Sequence, residues 1–597
     1  MSARKKQRKN PPKKKKARVV KDPDPIIEEP VVAKKQSYLP YVVLFILPFL
    51  LYGASIAYEY VLDDKIVLSE NSFVKNGFSG IQDIFTTESF TGFLGEQQDL
   101  VAGGRYRPLS IATFAIEYEL VGANPAVSHT INILLYALTG LLLFKILSLL
   151  WPGRRKWYVG IPFIAALLYI LHPIHTEVVA NIKSRDEILS LLLALLTLYF
   201  SYRLIVTRKK WLLIVTPIIF LLALLAKENA ITFLAVIPLT LYFFTKNNIK
   251  QIIKVTLPLL MAAVVFIIIR YQVIGYFLDS GKEVTGLMNN PFLGTTVAEK
   301  FATVVYTLGL YLKLLVFPHP LTHDYYPYQV PIMNWAQLGV IISLLVYVVM
   351  AGYALLKFKK RSITVWSILF FIATISIVSN LFFSIGTFMN ERFMYMPSVA
   401  FAVLVAYWII EKLPTLFKKA PKLAAGVFYG VLLLLIVGYT YKTLDRVPAW
   451  ENEMALNRAA STVSVNSARA NQFMAYSLYK EGLEEADLQE RKKIYDEAMQ
   501  FVDKALRIHP TYPDANNCKA GLAAGQYQMD RDLDKLLDQF YAIQTRRQVP
   551  FVDTYLEYLD GRVDKTVMSN FYRQLGTELV VKGNKTKGNY YLLKASQ

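Results

Sequence analysis

The sequence predicts an all-α polytopic membrane protein with a separate α-helical domain at its C-terminal end. Three observations predict it. The 597 residues have a mean hydropathy of +0.33, and apolar runs recur at the length of about 20 residues that a helix needs to cross a bilayer. Lys and Arg cluster at every second junction between those runs, the asymmetry that orients membrane proteins. After Arg446-Val447-Pro448 the long apolar runs stop, and Ala, Leu and Tyr recur at spacings of three and four, the period of a helix with one buried face. A soluble fold is excluded. The single cysteine, Cys518, excludes an internal disulfide framework.

Residues 1–37 form the first segment. Residues 1–36 hold thirteen Lys or Arg against Asp22, Asp24, Glu28 and Glu29, and so supply +9 of the net charge of +21. The run Lys13 to Lys16 has the composition of a nucleic-acid tail, but a polybasic segment just before a span marks the cytoplasmic side and contacts anionic lipid. Nucleic acid is therefore not an expected partner. The tail is rich in Pro and Lys and is expected to be disordered. No small-residue cleavage site clearly ends the first apolar run, so a secretory signal is not expected.

Residues 38–445 form the membrane module. Spans are expected at about 39–58, 128–151, 158–172, 187–204, 211–226, 230–245, 255–275, 335–356, 363–383, 397–411 and 423–441, about eleven in all. With residue 1 inside, Arg154-Arg155-Lys156, Arg208-Lys209-Lys210, Lys246 to Lys254, Lys357 to Arg361 and Lys418 to Lys422 all fall inside. A first outer loop covers 59–127, and a second covers 276–334. The apolar run Phe301 to Phe317 would reverse the charge rule if it crossed, so it is read as a re-entrant or interfacial helix. The C-terminus, and with it residues 446–597, is then outside. Gly482, Ala498, Ala505-Leu506 and Pro510 match the skeleton of a tetratricopeptide repeat, with four extra residues between Gly482 and Ala498. Degenerate further units are expected from Ala515 and from Leu575 through Gly583 to Ala595; the alternative is a plain helical bundle. Such a domain suits the holding of protein chains. Asn584-Lys585-Thr586 is an acceptor sequon.

The unusual polar clusters all fall on the outer side. They are Asp63-Asp64, Arg105-Tyr106-Arg107-Pro108, His172 to Glu177, Lys183 to Asp186, Lys227-Glu228, Arg270, His323-Asp324-Tyr325 and Asn390-Glu391-Arg392. Topology demands basic residues inside; it does not demand acids, bases, His and Tyr together outside. Arg and Lys at membrane depth suit a phosphate, and a nearby carboxylate can take the proton of an acceptor hydroxyl. Together they fit transfer from a lipid-linked phosphate donor. Each cluster also has a plainer reading. Acids end many helices, Arg105 and Arg107 could hold lipid headgroups, and Lys227-Glu228 could be a structural ion pair. Arg270 could snorkel to the surface, and His323-Asp324 could orient a loop. His172 and His175 stand three apart, but hydrogen bonding around Pro173 is the simpler role than a metal site. A divalent metal is left open, and no cofactor is otherwise indicated.

Arg105-Tyr106-Arg107-Pro108-Leu109, Ser128-His129-Thr130-Ile131-Asn132, His172 to Glu177, Lys227-Glu228-Asn229, Pro318 to Tyr325, and Glu391 to Ser398 occur in this order. They resemble the transmembrane and tetratricopeptide-repeat protein O-mannosyltransferases, over roughly residues 40–450. The resemblance implies a GT-C membrane fold, a polyprenyl-phosphate-linked sugar as donor, and Ser or Thr of exported proteins as acceptor. The acceptor would be held by the C-terminal domain. It also implies a catalytic acid in the first outer loop: Asp63, with Asp64 beside it. Arg105, Arg107 and Arg392 would face the donor phosphate, with Lys227 and Arg270 as further cations. His172, His175, Glu177, Arg185, Asp324, Glu391 and Tyr395 complete the candidate site. The repeat array is short and the tail basic, which together suggest a bacterial inner-membrane protein with its C-terminus in the periplasm. Two alternatives remain open: transfer of a whole oligosaccharide from a lipid diphosphate, and a non-catalytic membrane-anchored scaffold.

Overall fold

The fold is that of a computed structural model, which describes residues 2, 37–98, 104–152, 155–277, 281 and 284–597. The expected basic tail lies outside the described residues except for Ser2 and Ser37, as does Arg154 of the first basic junction. Met1–Leu39 and Pro40–Gln597 form two units. In the first, Ser37 Oγ accepts the Leu39 N–H at 3.3 Å. Apart from Leu39, the first residue of the first helix, the features described below lie in the second. Among the described residues the regular elements are helices, and none is a strand.

Among the described residues, seven helices are long and apolar enough to cross a membrane. They are Leu39–Ala57, Pro125–Leu150, Ile182–Thr207, Ile249–Ile274, Leu338–Lys360, Pro397–Leu416 and Pro421–Trp450. An eighth span is formed if the pair Ile161–Leu171 and Pro173–Ala180, bent by 51°, is one crossing. Three shorter apolar helices, Leu212–Ala226, Glu228–Phe244 and Ile363–Ser376, stand at the remaining expected positions. The chain is thus a polytopic integral membrane protein. A count of eleven requires the bent pair and the three short helices each to cross.

Local chemistry sets these boundaries. Asn124 caps Pro125–Leu150 by accepting the Ala126 and Val127 N–H groups, and Pro125 occupies the first turn, where its missing N–H costs nothing. Asn248 and Gln251 form a capping box at the start of Ile249–Ile274. That helix ends at Gly275, whose φ of +92° is left-handed. The bend at His172 follows from Pro173, which biases the residue before it away from helix; His172 has ψ 121°. The His172 ring then accepts the Ile174 N–H at 3.2 Å and caps the second segment.

Helix Arg185–Thr207 lies against Pro125–Leu150 and Leu212–Ala226, and Pro397–Tyr407 against Ile161–Leu171 and Ile363–Ser376. One apolar core runs from Leu44 through Tyr136, Phe233 and Tyr395 to Trp450 and Leu456. It joins the membrane module to the first helix of the C-terminal domain. Val297–Val316, the segment read as re-entrant, is a helix of 20 residues packed on Leu338–Lys357. It carries Glu299, Lys300 and Lys313 and is not among the helices apolar enough to span.

Residues 453–595 form eight successive helices from Glu453–Val463 to Lys585–Ala595. Small residues let neighbours close up. A Cβ on Gly482 or Gly525 would run into the Tyr495 ring from either side, and one on Gly576 would lie 2.8 Å from the Gly588 carbonyl. A reporter fused after Trp335 is expected outside and one after Lys360 inside. The opposite pair of results would make Val297–Val316 a true span.

Candidate active site

The first loop opens with the backbone leaving the helix at Tyr58, where the Glu59 N–H bonds the Glu451 carbonyl at 3.0 Å. The chain then turns sharply at Leu62, whose φ of +54° is left-handed. That conformation costs a non-glycine residue about 1–2 kcal/mol, and such strain persists only where neighbours over-determine it. Here Asp64 does so. Its carboxylate is fully buried and accepts the Val61 N–H at 3.0 Å and the Lys183 N–H at 2.7 Å. Burial pushes the Asp64 carboxyl up to about 7, against those two backbone donors. Asp64 therefore pins the loop to the next polar cluster. Asp63, on the other side of the turn, faces a cavity of about 650 Å³.

That cavity is the centre of the site. Among the described residues its wall carries seven cations, Arg105, Arg107, Lys183, Lys227, Arg270, Arg392 and Arg469, against two carboxylates, Asp63 and Glu228. Further acids stand behind the cations. Arg107 grips Glu228 with two donors at 3.0 and 2.6 Å and Asp186 with a third at 2.7 Å. Lys227 pairs with Asp186 at 3.2 Å and Glu187 at 2.7 Å, not with its neighbour Glu228. Arg392 pairs with Glu177 at 2.5 Å, and Arg469 with Asp324 at 2.7 Å. A guanidinium has five N–H donors in a fixed fork, so each of these arginines is oriented by its acid and keeps donors for an anion. Arg105 donates to the Ile385 carbonyl at 3.4 Å and has no carboxylate partner among the described residues. Arg270 donates to the carbonyls of Tyr276 and Phe277. The rest of the wall mixes apolar residues, Phe266, Ile267 and Ile377 among them, with polar ones such as Asn229, Ser384 and Thr387.

Among the described residues, two buried polar groups on this wall lack partners. His323 is 2% exposed, and neither ring nitrogen has a hydrogen-bond partner; the Asn390 side-chain oxygen has none either. Burial pushes the His323 imidazole down to about 3, so it is neutral at pH 7. Groups left so cost about 1–3 kcal/mol each, a cost that a bound polar ligand removes.

The remaining expected residues support the wall and do not line it. Arg185 is wholly buried, bonded to Glu117 at 2.7 Å and Asn132 at 2.8 Å, with its guanidinium over Phe114. His172 bonds the Leu315 carbonyl at 2.9 Å, and His175 lies between the Tyr136 and Ser398 hydroxyls at 2.8 Å each. Tyr395 packs on Tyr136, Tyr169 and His175. Among the described residues no group of three His, Cys, Asp or Glu is placed to hold a metal ion. Glu177 holds Arg392 from behind. Glu391 accepts the Thr322 N–H at 2.5 Å and the Tyr325 hydroxyl at 2.9 Å, fixing the loop that carries His323. Burial pushes the Glu391 carboxyl up to about 8. Asp324 faces the C-terminal domain: it accepts Ser467 Oγ at 2.8 Å and Arg469 Nε at 2.7 Å. Burial alone would raise its carboxyl, but the Arg469 guanidinium holds it below the usual range.

Sequence reasoning missed Arg469, and it placed Lys183 and Asn390 in the outer polar clusters without giving them a role in the site. Arg469 sits in an ordinary polar helix start, Ser467-Ala468-Arg469-Ala470, and nothing local marks it. Only the docking of the domain brings it to the cavity, stacked over the Tyr326 ring at 3.3 Å.

Fold and site define a polytopic membrane protein with a cation-lined cavity beside a candidate base. No family model matches the chain. The chain is similar to Protein O-mannosyl-transferase TMTC3 of Homo sapiens, 26% identical over 476 residues, covering 72% of this chain and 48% of that protein. It is also similar to Protein O-mannosyl-transferase TMTC1 of Homo sapiens, 26% identical over 509 residues, covering 78% of this chain and 55% of that one. Protein O-mannosyl-transferase F38B6.6 of Caenorhabditis elegans is 25% identical over 456 residues, covering 75% and 61%. The chain spans about half the length of the curated relatives it matches first. These are the proteins that the motif resemblance pointed to, and their names are those of glycosyltransferases.

A carboxyl raised from its usual 3.8 to about 7 favours the folded state when protonated. Its stabilising contribution is complete below pH 4 and is lost as the pH rises through 7. In detergent, the Asp64→Asn variant is therefore expected to show a flatter fall of Tm between pH 4 and 8 than the parent protein. An unchanged slope would contradict the burial of Asp64.

Proposed function

We propose that the chain is a membrane glycosyltransferase of the protein O-mannosyl-transferase kind. It moves a sugar from a polyprenyl-phosphate-linked donor to Ser or Thr hydroxyls of proteins. The observation that carries this reading is the cavity on which Asp63, Arg107 and Arg392 meet although they are far apart in sequence. The cationic wall suits the donor phosphate, and the apolar wall with Phe266 and Ile267 suits the first units of its lipid. His323 and Asn390, buried and unpartnered, suit the sugar hydroxyls.

In this reading the acceptor hydroxyl oxygen attacks the sugar's anomeric carbon, and its proton passes to the Asp63 carboxylate. The bond from that carbon to the phosphate oxygen breaks, and its electron pair leaves with the polyprenyl phosphate. Inversion at the anomeric carbon follows. Charge grows on the phosphate as it departs, and Arg105, Arg392 and Arg469 are in place to stabilise it. The strained turn at Leu62 and the pin at Asp64 position Asp63 for the proton. We further propose that residue 1 lies in the cytoplasm and that the cavity and residues 446–597 face the periplasm of a bacterial inner membrane, as the basic junctions favour.

The test is sugar transfer to envelope proteins, read by mass spectrometry in cells with and without the chain. Asp63→Asn is expected to insert and fold normally while transfer drops at least about 100-fold, the usual worth of a general base. Arg105→Ala is expected to raise the donor KM about 10- to 100-fold, the worth of one charged hydrogen bond. An Asp63→Asn protein with full transfer would refute the role of Asp63. Envelope proteins identical with and without the chain would favour the scaffold.

A further inference from the structure

A second cavity, of about 630 Å³, also borders the Asp63 turn. Leu62 and Asp63 line both cavities. The rest of the second wall comes almost wholly from the C-terminal domain. It carries side-chain amides, Asn457, Gln472 and Asn517, and the rings Phe473, Tyr476 and Tyr479. Gln472 is 4% exposed, and its side-chain carbonyl oxygen has no hydrogen-bond partner among the described residues. Asn457 is held by the Ser477 hydroxyl at 2.8 Å. An amide side chain both donates and accepts, as does the main chain of an extended peptide. Rings offer flat contact area that tolerates many side chains. The volume lies within the range of about 300–1,000 Å³ typical of ligand sites.

We propose that this groove receives the acceptor as an extended polypeptide segment and delivers its Ser or Thr to Asp63 from the side opposite the donor. The proposal rests on the transferase reading and deepens it. It makes Asp63 the meeting point of two sites, with the sugar arriving from the cation-lined cavity and the hydroxyl from the amide-lined one. The acceptor must then be unfolded where it is modified. A residue on a packed helix or strand keeps its backbone groups engaged and cannot offer them to Gln472. The C-terminal domain is on this account a wall of the active site, through Arg469 on one cavity and Gln472 on the other.

The experiment uses the full-length protein in detergent with no sugar donor. The probe is a fluorescein-labelled unstructured peptide of thirteen residues with one central Thr among Ala, Gly and Ser, read by anisotropy. The parent protein is expected to bind it. Tyr476→Ala, at a ring 42% exposed and so dispensable for folding, is expected to bind it about tenfold more weakly. Gln472→Leu is expected to do the same, and Arg105→Ala to bind as the parent does. The same peptide locked in a folded helical hairpin is expected not to bind. Peptide binding unaffected by Tyr476→Ala and Gln472→Leu would overturn the groove. So would transfer by both variants at the parent's acceptor KM, and that result would leave the transferase reading standing. Binding that depends on both residues in a protein that transfers no sugar would uphold the groove as a peptide site and sink the transferase reading instead.

Discussion

The site depends on Asp186. Its carboxylate is almost completely buried at the start of a membrane helix, and three cations converge on it: Arg107 at 2.7 Å, Lys227 at 3.2 Å and Lys183 at 3.7 Å. Burying a charge alone costs far more than a fold can offset, so these groups must be placed together or not at all. Asp186 thereby fixes the position of the cation wall. Glu228, Glu187, Glu177 and Asp324 repeat the device around the rest of the cavity. The price of such pairing is desolvation, and buried pairs add little net stability. Their value here is orientation: each acid holds one edge of a cation and leaves the other edge for an anion.

The same principle joins the two parts of the chain. Asp324, on a loop of the membrane module, accepts from Ser467 and Arg469 of the C-terminal domain and from the Tyr326 N–H of its own loop. Backbone bonds from Tyr328 to Asn466 and from Ala468 to Pro327 run alongside. Ser464 donates to the Asp324 carbonyl at 2.7 Å. The domain is thus seated by several directional bonds, and its first helices complete the cavity walls.

Much of this was legible in the sequence because the bilayer imposes simple rules. Apolar length and alternating basic junctions gave helices where the fold has them, and the break at His172 is written in Pro173. The short helices Leu212–Ala226 and Ile363–Ser376 show the limit, since length alone does not prove a crossing. Within the site, residue type and order were enough to gather Asp63, Arg105, Arg107, Lys227, Arg270 and Arg392 on one cavity. They were not enough to separate a wall from its support. Arg185 and Arg107 are chemically alike, yet one is sealed against Glu117 and the other faces the cavity. Asp63 and Asp64 are adjacent, and only the left-handed turn at Leu62 decides which carboxylate faces out. No propensity of leucine announces that turn. Arg469 was invisible because its role arises from docking between distant segments.

The central claim is that the cation wall and Asp63 form one site for a lipid-linked phosphate. A structure of the full chain with bound polyprenyl phosphate tests it most directly. The account predicts the phosphate within hydrogen-bond distance of Arg105, Arg392 or Arg469, with the lipid running past Phe266 and the Asp63 carboxylate facing the vacant sugar position. A phosphate held elsewhere, or Asp63 turned away from it, would contradict the account.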